Sequence, residues 1–237
     1  MPAKLAIVAA LEREIRSLVK SWPAREQQHS GRTFRFYENA DTVLTCGGIG
    51  PEPARRAADA IIALYHPAMI YSAGYAGALD STLLVGDILL PRRVVNAADG
   101  SSLDTGQGEG VLISFSSVAS PEQKKMLANS YAAQAVDMEA SAVGCAAELR
   151  GIPFAAVKAI SDQNDLDLPP MDRFIDAEGN FDAVRFALFA LMKPWTWGTT
   201  VRLARNSRRA SEALCNWIEH LEKNLRAARA VESSQRS

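Results

Sequence analysis

Three carboxylic acids stand where an α/β sheet could put them to chemical use. Glu14 follows a short apolar run at residues 4–10. Glu139 closes the Val-Asp-Met-Glu of residues 136–139, and Asp162 ends the Phe-Ala-Ala-Val-Lys-Ala-Ile-Ser-Asp of residues 154–162. An acid just past a buried strand sits at the carboxyl edge of the sheet, where open α/β sheets bind ligands. One acid there is more often a helix cap or a salt-bridge partner, but three on separate strand ends point to a site. One carboxylate can accept hydrogen bonds from two vicinal hydroxyls, as a ribose presents. A second, desolvated by neighbours such as Val157 and Ile160, gains proton affinity and can donate a proton. A third can orient and deprotonate a water. Acid, base and hydroxyl clamp together suit cleavage of a glycosidic bond, although spacing alone does not specify that reaction.

The elements that would hold these acids follow from the pattern. Residues 4–10 read as a buried central strand and residues 12–22 as a helix closed by Pro23. Residues 33–37 and 42–46 read as a hairpin-like pair around Asn39-Ala40-Asp41. Gly47-Gly48-Ile49-Gly50 leads into a helix over residues 52–65. Its amides can hold an anion, or its glycines can simply make a tight turn. Residues 68–73 read as a strand ending in a second small-residue turn, Gly74-Tyr75-Ala76-Gly77-Ala78. Residues 85–95 read as one strand bent near Pro91, 98–110 as a loop and 111–116 as a strand. Ser120-Pro121-Glu122-Gln123 marks a helix start. A brief strand at 135–138, a helix at 139–150 stopped by Gly151 and a strand at 154–161 complete the alternation. The acidic stretch 162–170 reads as a loop or lid, and residues 182–192 as an apolar helix; the loop lacks the glycine and closing glutamate of an EF-hand. The class is α/β, with a mainly parallel sheet and some antiparallel additions.

Composition narrows the partners. The chain has 237 residues, 48% hydrophobic, with a formal net charge of −1, which suits one large domain with or without an appendage and does not suit a nucleic-acid binder. Three widely spaced cysteines read as reduced thiols in a cytoplasmic protein. Three histidines without ligand spacing make a zinc site a poor expectation, and no metal or cofactor is expected. The apolar run at residues 5–11 is too short to span a membrane and is followed by Glu-Arg-Glu, unlike a signal peptide. From Trp195 the character changes. Leu203, Ala210, Leu214, Trp217, Ile218 and Leu221 fall on one helical face, with Arg202, Arg205, Arg208 and Arg209 opposite. Residues 193–229 carry eight basic and three acidic side chains. Such a helix packs on the body or on a second subunit, or, through residues 195–225, meets an anionic membrane surface; nucleic acid ranks last. Order is expected to end near Arg229.

The motifs Ile7-Val8-Ala9-Ala10-Leu11-Glu12-Arg13-Glu14, Gly47-Gly48-Ile49-Gly50, Ser72-Ala73-Gly74-Tyr75-Ala76-Gly77-Ala78-Leu79, Val85-Gly86-Asp87-Ile88, Val136-Asp137-Met138-Glu139-Ala140 and Lys158-Ala159-Ile160-Ser161-Asp162 occur in that order. Together they resemble the purine nucleoside phosphorylase and nucleosidase superfamily, particularly its methylthioadenosine/adenosylhomocysteine nucleosidase branch. The resemblance implies a three-layer αβα sandwich with a central mixed twisted sheet, plus a C-terminal amphipathic helix. With the residue pattern of the tail, the expected organisation is a domain over residues 1–193, a basic helical extension over 194–229 and a disordered tail over 230–237. The resemblance also implies a nucleoside substrate and a homodimer. Glu139 would clamp the ribose hydroxyls with Met138 against the sugar. Asp162 would protonate the purine at N7, and Glu14 would activate water. Gly74, Tyr75, Val118 and Ser161 would complete the substrate pocket. The arginines that bind phosphate in the phosphorylases are missing from the first strand loop and from Ser72-Ala73-Gly74, which favours water as nucleophile. Tyr75 replaces a customary serine, and Val118-Ala119 stand where the nucleosidases place an aromatic–aliphatic pair. The tail from Pro194-Trp195 through Leu203-Ala204-Arg205-Asn206-Ser207 is similar to that of the hopanoid-associated "phosphorylase" subgroup. That implies adenosylhopane, a lipid nucleoside, as substrate. A soluble methylthioadenosine, adenosylhomocysteine or futalosine nucleosidase, a phosphorylase, and a nucleoside-binding protein without activity are the alternatives.

Overall fold

The computed structural model describes residues 4–164, 166, 171–176, 178–183, 185–186, 189 and 197–235. Strand β1 (Leu5–Ala9) is buried along its whole length. Its side chains alternate: Leu5, Ile7 and Ala9 join one core, Ala6 and Val8 the other, as the two-residue period of a strand requires. The first core is completed by Ile15, Leu18 and Val19 of helix α1 (Glu12–Val19) and by Ala210, Leu214, Cys215 and Ile218 of the C-terminal helix α5 (Trp197–Gln235). The second is completed by α2 (Pro51–Tyr65) and α4 (Ala140–Glu148), whose alanines let both helices settle close to the sheet. The result is the expected αβα sandwich.

Strands β2 (Ala24–His29), β3 (Arg32–Glu38) and β4 (Thr42–Cys46) form antiparallel neighbours at one edge. β4 and β5 (Met69–Ala78) flank β1, both parallel to it. β11 (Phe154–Asp162) runs parallel along the far side of β5. β6 (Ile88–Leu89) pairs antiparallel with β11. β7 (Arg93–Asn96), β8 (Ser102–Asp104) and β9 (Val111–Ser114) extend the sheet to β10 (Ala135–Asp137), which joins β5 antiparallel. Helix α3 (Pro121–Tyr131) precedes β10 and starts with the capping box between Ser120 and Gln123.

One feature of this topology makes the site. β1 pairs with β5 as far as Ala9 opposite Ala73, and β10 pairs with β5 from the other end, Val136 opposite Gly77. The carboxyl ends of β1 and β10 therefore run toward each other along one edge of β5 and stop short over residues 74–76. Glu14, just beyond β1, and Glu139, just beyond β10, are delivered to that gap. On the other edge, a β-bulge between Ile160 and Asp162 brings Asp162 opposite Gly77. Bulges commonly re-aim side chains in this way beside active sites.

Several expectations are corrected. The second small-residue stretch is not a turn, because β5 continues extended through Ala78. Residues 85–95 form two short strands separated at Pro91, which has no N–H to give a ladder. Part of the expected loop 98–110 is strand β8. β2, polar after Ala24, is an additional edge strand. Helix α5 runs to Gln235, beyond the expected end of order near Arg229. Much of the 162–170 loop and of the 182–192 helix lies outside the described residues.

Candidate active site

A cavity of about 440 Å³ opens over the gap between β1 and β10. Glu14, Glu139 and Asp162 all line it, as do Met138, Tyr75, Val118 and Ser161. Gly74 does not line it but lies underneath: a Cβ there would meet Glu14 Oε2 at 2.9 Å and Lys158 Nζ at 3.8 Å. Gly77 serves Asp162 in the same way, with a Cβ falling 2.9 Å from Oδ2. The two glycines are gaps in the strand's side chains that the Glu14 and Asp162 carboxyls fill.

Glu14 sits in the first turn of α1, where its amide donates to the Leu11 carbonyl (3.0 Å). It is buried, and Oε2 has no hydrogen-bond partner among the described residues. Burial, followed by the charge of Glu139, pushes its pKa up to about 8, against the opposing pull of Lys158 and Arg13. Glu139 precedes α4. Its Oε1 accepts from the Gly50 amide (2.8 Å) and its Oε2 from the Met138 amide (3.3 Å). The glycine turn thus does hold an anion, and that anion is a side chain of the same protein. Burial and the neighbouring Asp137 raise the Glu139 pKa to about 7. Gly48 lies in the left-handed region (φ +106°), and a Cβ on it would meet the Glu178 carbonyl at 2.7 Å. The segment around Gly179, whose carbonyl accepts from the Ile49 amide (2.8 Å), closes over that turn.

Two lysines join the acids, in roles that the sequence motifs do not assign. Lys158, on β11 opposite Gly74, is 1% exposed and bonds Asp137 Oδ2 (2.8 Å) and Ser72 Oγ (3.1 Å). Burial alone would lower its pKa, but Asp137, Glu139 and Glu14 outweigh that and raise it. Asp137 also accepts from Ser114 Oγ (2.6 Å) and the Ala140 amide (2.8 Å). One buried cation therefore faces three buried acids and only partly offsets the rise in proton affinity that burial, then the neighbouring acid, gives Glu14 and Glu139. Lys124, on α3, pairs with Asp162 Oδ2, while Ser161 Oγ donates to Oδ1 (2.7 Å). A charged residue inside an all-buried strand must find a partner, so Lys158 is detectable in sequence; Lys124, in an ordinary capped helix, gives no such signal.

The outer wall is apolar. Leu203 and Ala204 of α5, with Ile175, Phe181 and Phe186, line the mouth. Arg13 stacks over Phe181 at 4.7 Å. Tyr75 donates to the Ser207 carbonyl (2.9 Å), tying β5 to α5. No metal-binding cluster of His, Cys, Asp and Glu occurs among the described residues.

The sequence pattern defining the Phosphorylase superfamily matches residues 4–124 and 109–189. The chain belongs to that superfamily. Within it, the chain is 26% identical over 196 residues to the 5'-methylthioadenosine/S-adenosylhomocysteine nucleosidase of Staphylococcus aureus, covering 67% of this chain and 86% of that protein. Its fold is similar to that of futalosine hydrolase from Helicobacter pylori (TM-score 0.65, 19% identity, 92% of this chain and 98% of the other). It is equally similar to the S-adenosylhomocysteine nucleosidase of Streptococcus pyogenes (TM-score 0.65, 21% identity, 93% and 98%). The superfamily's fold thus accounts for the sheet and its flanking helices.

Proposed function

We propose that the protein hydrolyses the N-glycosidic bond of a purine nucleoside and releases the free base. The observation that carries this reading is the meeting of three acids from three strand ends in one cavity, with distinct surroundings for each. Glu139 accepts the two ribose hydroxyls, with Met138 against the sugar. Glu14, desolvated and with an unengaged oxygen, takes a proton from the attacking water. Asp162, at the opposite end, serves the departing base at N7. The transition state is oxocarbenium-like, and the buried acids stabilise its positive charge. Water is favoured over phosphate because Glu14 and Glu139 would repel a phosphate dianion, and the cavity's arginine is stacked on Phe181.

The apolar mouth supports a bulky apolar 5′ group. The substrate we propose is adenosylhopane, in hopanoid biosynthesis. The exposed Arg202, Arg205 and Arg208 of α5 would meet the anionic surface from which such a lipid comes; no helix among the described residues is long and apolar enough to cross a membrane. The named relatives favour a second reading, a nucleosidase for methylthioadenosine, adenosylhomocysteine or futalosine. An adenine-release panel decides. Nucleosides with methylthio, homocysteinyl and long-alkyl 5′ groups are compared, with and without phosphate. Preference for the alkyl compound supports the lipid reading, preference for the small or charged groups supports the second, and an absolute phosphate requirement refutes hydrolysis.

A further inference from the structure

The base end of the cavity holds a cation that the roles above leave unused. Lys124 is 2% exposed and rises from the first turn of α3, fixed by the capping box one residue earlier. Its Nζ donates to Asp162 Oδ2 and to the Gln163 carbonyl (2.9 Å). A Cβ on Gly77 would lie 2.9 Å from Oδ2 and 3.4 Å from Nζ, so both heads rest over the same gap in β5, and both residues line the cavity. Oδ1 is engaged by Ser161. The oxygen left for a base is Oδ2, and the acidic proton in contact with it is on Lys124. Neutralising the sugar-end acids does not need this lysine, because Lys158 is already there.

Resting on the reading of Asp162 as the acid beside the base, we propose that Lys124 supplies the proton that leaves with the purine, passing it through Asp162. As the C1′–N9 bond breaks, its electron pair stays on the base. A proton moves from Lys124 Nζ to Asp162 Oδ2 and on to N7. On the opposite face the water oxygen bonds to C1′ and one water proton passes to Glu14. Lys124 is left as a neutral amine and Glu14 protonated; once products leave, solvent restores both. The sum is nucleoside plus water giving base plus sugar.

A lysine kept only to hold Asp162 in place could be replaced by any cation that keeps the ion pair, whereas a proton source could not. Lys124→Arg and Lys124→Met separate the two roles. Arginine keeps the ion pair but does not give up its proton. The substrates are a 5′-alkylthioadenosine and the p-nitrophenyl riboside with the same 5′ group, whose leaving group departs as an anion without protonation. Both variants should release adenine at least about 100-fold more slowly and p-nitrophenol less than about tenfold more slowly. The ratio of the two rates does not depend on how much protein is folded. Adenine release at the parent rate in Lys124→Arg, or equal losses on both substrates in either variant, overturns the proposal. A parent protein silent on both substrates instead refutes the nucleosidase reading itself, and this proposal with it.

Discussion

Replacing Glu14 with glutamine should stabilise the fold while removing the chemistry, and the gain should grow with pH. Glu14 takes its proton at an ordinary 4.5 in the unfolded chain and at about 8 in the folded one. A raised folded-state pKa means that the folded protein binds more protons than the unfolded chain between these values, so stability falls as pH rises through that window. At about 1.4 kcal/mol for each tenfold change in proton affinity, the ceiling on this loss is ~5 kcal/mol above pH ~8. Water reaching the ionised carboxyl reduces it, leaving a gain for Glu14→Gln of at least about 2 kcal/mol, or roughly 4–8 °C in Tm for a chain of this size. The assay is thermal unfolding of both proteins at several pH values. The two should melt together near pH ~5 and separate by about pH 8.5, with Glu14→Gln the higher. Base release should fall at least about 100-fold in the same variant. A Tm difference that is flat in pH, or that turns against the glutamine at high pH, would refute the idea that Glu14 is held proton-loving by burial and by Glu139.

Lys158→Met should cost about 3–5 kcal/mol in urea unfolding, because Asp137 is left charged and buried; adding Asp137→Asn should return much of that loss. Gly77→Ala should leave the melting temperature nearly unchanged yet slow base release by about 100-fold, since the new methyl displaces the flexible Asp162 and Lys124 heads rather than backbone. The kcat/KM of the parent should rise toward about pH 8 as Glu14 loses its proton, and a profile that falls over pH ~6–8 would contradict a base at this position. Leu203→Asp should raise KM about tenfold for a long-alkyl 5′ group and much less for a methylthio group, read from initial rates.

The acids are legible because strand ends are legible: Leu5–Ala9, Ala135–Asp137 and Phe154–Asp162 are mostly apolar runs with an acid at or a few residues past their carboxyl ends. Their convergence is not, because it depends on β10 running antiparallel to β5 while β1 runs parallel, and strand direction leaves no mark on local composition. Gly74 and Gly77 imitate a turn for a related reason. A glycine that makes room for a neighbour's side chain looks, in sequence, like one that bends the chain. The edge strand β2 has no apolar face because it has little to bury, so periodicity has nothing to report. The stripe on α5 is legible through Ala210, Leu214 and Ile218, which are fully buried. That its first turns line the cavity mouth required the fold.

Helix α5 joins these two duties on a single rigid rod. Leu203 and Ser207 face the cavity, Ala210, Leu214 and Ile218 face the core, and the positions advance by three or four along one stripe. The angular phase of the mouth is therefore set by the core further along the same stripe. One alanine inserted after Arg208 would rotate the first turns by about 100° relative to the rest. It would swing the apolar lip out of the cavity and the arginines into it, with every anchoring contact beyond still in place. Among chains built on this sheet, the spacing between the lip and the anchor should tolerate insertions of whole turns far better than single residues.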